Sequence, residues 1–124
     1  MTFRSYHARI PGTMEESMKY TVHMLAFQKG LIREVYVPQE EADKTTDQEE
    51  ILELIFKYGQ NDLQSIPQCC SVSVGDVIDL GIEADERYHM VFPAGFCHIS
   101  EERFKYFLSR SERGEAISIE AYMM

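Results

Sequence analysis

Three cysteines, Cys69, Cys70 and Cys97, and four histidines, His7, His23, His89 and His98, carry the side chains best suited to hold a metal or attack an electrophile. Cys69, Cys70, Cys97 and His98 would form a four-ligand set if the strands carrying them paired. The spacing argues otherwise, because structural zinc sites typically separate their cysteines by about two to four residues. Strand alternation would also turn neighbours such as Cys69 and Cys70 to opposite faces. The same alternation separates Cys97 from His98, so the imidazole is badly placed to activate the thiol. None of the histidines stands in a Gly-x-Ser-x-Gly turn or a paired-histidine helix. The expectation is no catalytic group, no metal and no cofactor, with Cys70 buried as a small apolar residue.

The most distinctive string runs Ser71-Val72-Ser73-Val74-Gly75-Asp76-Val77-Ile78-Asp79-Leu80. Between two β-branched runs a glycine accepts a positive φ, and an aspartate can accept backbone N–H bonds that close the turn. Asp76 is therefore expected to be structural, since no second carboxylate is fixed beside it. One glycine with no helix start behind it does not make a phosphate loop.

The elements that must position these residues follow from periodicity. Arg4 to Ile10 reads as a first strand broken by Pro11-Gly12. Thr13 and Glu16 form a capping box ahead of Met14, Met18, Val22 and Leu25, which predicts a helix ending at Gly30. Leu31 to Val37 reads as a strand ending at Pro38, followed by an acidic loop from Gln39 to Thr45. Thr46 and Glu49 cap a second helix with Ile51, Leu52, Ile55 and Phe56 on its apolar face, ending near Gly59. Cys70 to Val74 and Ile78 to Leu80 read as one bent strand or two. Arg87 to Phe92, a break at Pro93-Ala94-Gly95 and Phe96 to Ile99 continue a β-meander. Ser100 caps a third helix bearing Phe104, Phe107 and Leu108, which stops by Gly114, and Ala116 to Tyr122 reads as a closing strand. The fold class expected is α+β, residues 1–124 forming a single domain with a small antiparallel sheet or partial barrel and about three helices.

At 124 residues with 44% hydrophobic and 27% charged residues, the composition is that of a globular domain. The N-terminus has no apolar run behind its basic residues, and no stretch approaches the roughly 18 apolar residues of a spanning helix. An odd number of cysteines, two of them adjacent, is not a disulfide framework, which leads to reduced thiols and a cytoplasmic location. The formal net charge of -9 opposes direct binding to nucleic acid or anionic membranes and favours basic partner surfaces. The densest acidic feature is Glu40, Glu41, Asp43, Asp47, Glu49 and Glu50, relieved by Lys44. Acids in the first turn of the second helix suit its dipole, while those in the loop suit a patch that steers toward a basic groove.

Leu52 to Phe56, the Tyr58-Gly59-Gln60-Asn61-Asp62 helix end, the Ser71 to Ile78 string, Tyr88 to Val91 and Gly95-Phe96 together resemble the YodL-like domain. That family pairs a Leu/Phe-rich helix ending in an Asn-containing turn with a Ser-Val-x-Asp-Val strand, a tyrosine strand and a Gly-Phe ending. The likeness covers about residues 51 to 99. It implies a small α+β domain of bacterial mobile elements and phages, often near genes that blunt restriction or CRISPR defence, with no established catalytic residues. The family string usually follows a basic residue, where this chain has Gln68-Cys69-Cys70.

Charge and resemblance together predict a non-catalytic acidic binding protein that inhibits a host nucleic-acid-handling defence enzyme, such as a nuclease, by docking on its basic surface through the six acids. Two alternatives compete. The Val74-Gly75-Asp76-Val77-Ile78 turn also suits a barrel-like module for a small ligand or RNA. Cys70, Cys97 and His98 would carry a thiol or metal-dependent enzyme.

Overall fold

A computed structural model describes residues 17–116. The strand expected at Arg4 to Ile10, the Thr13–Glu16 capping box, and the closing strand beyond Ala116 lie outside the described residues.

The first described element is a strand, β1 (Ser17–Met24), where a helix is expected. Met14, Met18 and Val22 are spaced by four, which is one helical turn and also two strand repeats. Tyr20 and Met24 share their parity, so period two accounts for the same residues, and Val22 and Met24 are indeed buried. Thr21 and Val22 favour the extended form. Lys29 and Gly30 then take consecutive left-handed conformations, φ 53° and 84°, so Gly30 closes a turn instead of ending a helix.

Strand β2 (Leu31–Pro38) follows as expected. It leads straight into a one-turn helix, α1 (Gln39–Asp43), where a loop is predicted. Glu40 and Glu41 in its first turn favour that turn through the backbone dipole. Helix α2 (Gln48–Tyr58) has its cap one residue later than predicted. Asp47 accepts the Glu50 N–H at 2.9 Å, and the Glu50 carboxylate accepts the Thr46 N–H at 2.8 Å.

Strands β3 (Val77–Asp79), β4 (Tyr88–Phe92) and β5 (Gly95–Ile99) form the expected meander. Helix α3 (Glu101–Glu112) starts after Ser100, whose hydroxyl accepts the Arg103 N–H at 3.1 Å. The fold is α+β, with a five-stranded antiparallel sheet in the order β2-β1-β3-β4-β5. The sheet does not close into a barrel, so of the two forms expected the small antiparallel sheet is the one present.

The chain groups into two compact units, residues 17–20 with 34–72 and residues 21–33 with 73–116. In the second, Leu25, Val77, Tyr88, Met90 and Ile99 pack with Phe104 and Phe107 of α3. Leu108, predicted on that helix face, is partly buried against the same cluster. In the first, Leu52, Ile55 and Tyr58 are the buried face of α2.

Cys70 to Val74 is not a strand, against expectation. Its alternation serves a different contact. The Val72 N–H donates to Gly59 O at 3.0 Å and its carbonyl accepts Gln60 Nε2 at 3.0 Å, so both backbone groups are used outside a ladder. Gly59, at φ -82°, is not a left-handed cap. It is required by proximity, because a Cβ there would lie 2.5 Å from Val72 Cγ2 and 3.1 Å from Ile55 O. Gly59→Ala should therefore destabilise the protein by about 1–3 kcal/mol, as overpacking does, read as a lower urea midpoint at unchanged slope.

Candidate functional site

The six predicted partner-binding acids all lie on α1, α2 and the segment joining them, but four of them, Glu41, Asp43, Asp47 and Glu50, accept local hydrogen bonds. Asp47 and Glu50 cap α2. Glu41 Oε2 accepts the Tyr58 hydroxyl at 2.6 Å. Burial, reinforced by Glu41, pushes the Tyr58 hydroxyl up to about 12, so it remains a donor at all ordinary pH. Glu40, Asp43 and Glu49 are exposed, Asp43 accepting Gln39 Nε2 at 2.7 Å. Glu53, which the sequence reasoning left out, is exposed one turn further along α2. Glu41, Glu50 and Glu53 line an open groove of about 410 Å³ together with Lys44, Lys57 and Leu54. Its lining sets three carboxylates beside two lysines around Leu54.

A second constellation escaped sequence reasoning. Arg87 grips Asp79 with both ends of its guanidinium, Nε to Oδ1 at 2.8 Å and an Nη to Oδ2 at 3.0 Å. The Gly81 N–H adds a third bond at 2.8 Å. His23 Nε2 stands 3.8 Å from Asp79 Oδ2 and its ring lies 4.6 Å from that of Phe104, which stacks on Tyr88 at 4.2 Å. The strand register assembles them: Thr21 faces Asp79, Asp79 faces Tyr88, and His23 faces Val77. Burial raises the Asp79 carboxyl, but the Arg87 and Gly81 bonds outweigh it and hold the group below its ordinary range. Burial lowers His23, with Asp79 pulling partly the other way. The only sequence signal was parity, because Asp79 shares the face of Val77 in a strand of buried residues.

No family model, curated protein or solved structure matches the chain.

Among the described residues, no group of three or more His, Cys, Asp or Glu side chains is placed to hold a metal ion. Cys70 is exposed, which corrects its expected burial, and Cys69 and Cys97 are half-buried. Cys69 and Cys70 lie outside any strand, so alternation does not set their directions. His98 faces His89 across the β4–β5 pair, with rings 5.5 Å apart, while the Cys97 thiol contacts the His98 carbonyl at 3.6 Å. No described helix is long and apolar enough to cross a membrane.

Asp76 takes the structural role expected of it. It is 1% exposed and accepts the Ala26 N–H at 2.9 Å and the Ser73 N–H at 2.8 Å. Burial raises its carboxyl to about 6, and bonds from the Ala26, Ser73 and Leu25 amides only partly oppose the rise.

Two measurements check these assignments. Because the folded-state value of Asp76 lies above the unfolded value of 3.8, protonation favours folding, and that contribution fades as pH rises through about 6. The stability of wild type relative to Asp76→Asn should thus grow as pH falls from 7 to 5 in urea titrations, and a pH-independent difference would contradict this. Arg87→Ala, which strips a nearly buried carboxylate of its partner, should cost about 1–2 kcal/mol after allowing for the partly exposed guanidinium. Differential scanning calorimetry should show the loss at pH 7 and much less of it at pH 3, where Asp79 is protonated in the variant.

Proposed function

We propose that this chain is a non-catalytic acidic binding protein of a mobile element, acting in the cytoplasm. Its α1–α2 face docks on the basic surface of a host enzyme that handles nucleic acid, in the manner of an anti-CRISPR or antirestriction inhibitor. The supporting observation is the concentration of charge: from Gln39 to Lys57 the chain carries seven carboxylates against two lysines. Glu40, Asp43, Glu49 and Glu53 are exposed on α1 and α2. Such a surface speeds encounter with a positive groove and repels nucleic acid itself. The resemblance to the YodL-like domain supplies the mobile-element setting and the kind of target.

The test is affinity purification of the tagged protein from a bacterial lysate at low and then moderate salt, with mass spectrometry of what is retained. A nucleic-acid enzyme released by added salt is the expected result. Glu40→Gln, Asp43→Asn and Glu49→Gln together should weaken that capture about tenfold to a hundredfold while leaving the fold intact, because none of the three caps α2 or holds Tyr58. Capture that ignores both salt and these substitutions would sink the electrostatic reading.

A further inference from the structure

Cys69 and Cys70 stand in the loop that carries Val72 back to Gly59, and that loop is pinned on both sides of the pair. Asn61 Nδ2 donates to Cys69 O at 2.8 Å, and the Asn61 N–H donates to the Ser71 hydroxyl at 2.8 Å. The Cys69 N–H closes a turn onto Ile66 O at 3.1 Å, after Gln68 in a left-handed conformation at φ 62°. Cys70 is thereby exposed, with Cys69 half-buried next to it. An accessible thiol beside a second thiol is the arrangement in which oxidation of the first is resolved by the second.

We propose that Cys69 and Cys70 form a reversible oxidation site for peroxides. The exposed Cys70 sulfur attacks the peroxide O–O bond, taking one oxygen to become a sulfenic acid while the other leaves as water or alcohol. Cys69 sulfur then attacks the Cys70 sulfur and expels that oxygen as water, closing a disulfide between neighbours. Two thiols are oxidised by two electrons and the peroxide is reduced by two.

Strain makes the product easy to reverse. Adjacent Cα atoms lie about 3.8 Å apart, below the roughly 4.4–6.8 Å that disulfides prefer. A strained bond of this kind has a raised reduction potential and is readily reopened by a thiol. The ring also encloses the peptide between Cys69 and Cys70. Closing it must twist that peptide, turn the Cys69 carbonyl away from Asn61 and loosen the path to Val72. Oxidation is thus coupled to the end of α2.

The experiment treats the full chain with hydrogen peroxide, alkylates the remaining thiols and reads intact and peptide masses, alongside amide exchange. The expected wild-type product is a monomer carrying one alkyl group, on Cys97 of its three cysteines, and otherwise lighter by about 2 Da, with all three thiols restored by dithiothreitol. Cys69→Ser should stop at a sulfenic acid on Cys70 trapped by dimedone, Cys70→Ser should show no two-hydrogen loss, and Cys97→Ser should behave as wild type. Amide exchange at Val72 should quicken on oxidation. Three alkylated cysteines after peroxide, a disulfide-linked dimer, or sulfinic acid on Cys70 of wild type without the two-hydrogen loss would overturn the proposal. Unchanged Val72 exchange would overturn its coupling to α2.

Discussion

The carboxylate of Asp76 gathers backbone N–H groups from the turn after β1 and from Ser73 before β3. Its own main chain extends the same junction. The Asp76 carbonyl accepts the Val91 N–H at 2.9 Å, and the Gly75 N–H donates to Val91 O at 2.9 Å. One buried residue therefore fixes where β3 begins relative to both of its neighbours. A carboxylate out of water is costly unless several donors surround it, and here they are supplied by turns that would otherwise leave amides unsatisfied. The register that follows sets His23 opposite Val77 and Val77 opposite Met90, and it brings Asp79 within reach of Arg87.

What was legible in the sequence was whatever local chemistry decides. Ser100 as a cap, the hairpin break at Pro93-Ala94-Gly95 and the strand ending at Pro38 depend on residues a few positions apart. The failures are equally physical. Met18 and Val22, four apart, satisfy both periods, and pairing with β3 adds to the extended preference of Thr21 and Val22. Val72 fits a strand pattern, yet its hydrogen bonds go to Gly59 and Gln60. As for the site, the acids were visible as charge, but which of them would cap α2 or hold Tyr58 depends on contacts up to seventeen positions apart. His23, Asp79 and Arg87 form a group only through strand register, which no spacing rule encodes.

Helix α2 serves two tasks with its two ends. Its N-terminal turn takes carboxylates as caps and adds exposed ones beside them, so the charge there is partly required by the helix and partly surplus. At its C-terminal end a glycine admits Val72 into direct contact, and the loop that returns Val72 carries the paired thiols. Acidic face and cysteine loop thus share one rigid element within one compact unit.

Gln64 has a consequence of another sort. Its side chain, 1% exposed, accepts the Tyr36 N–H at 3.1 Å and donates to the Tyr36 carbonyl, imitating with one amide the exchange that a passing strand would make. Only an amide of that reach offers a donor and an acceptor side by side. Glutamate lacks the donor, leucine lacks both, and asparagine falls one methylene short. Drift among descendants of this chain should accordingly bypass position 64, which makes this glutamine of the α2–β3 connection a better marker of kinship than the charged helices that precede it.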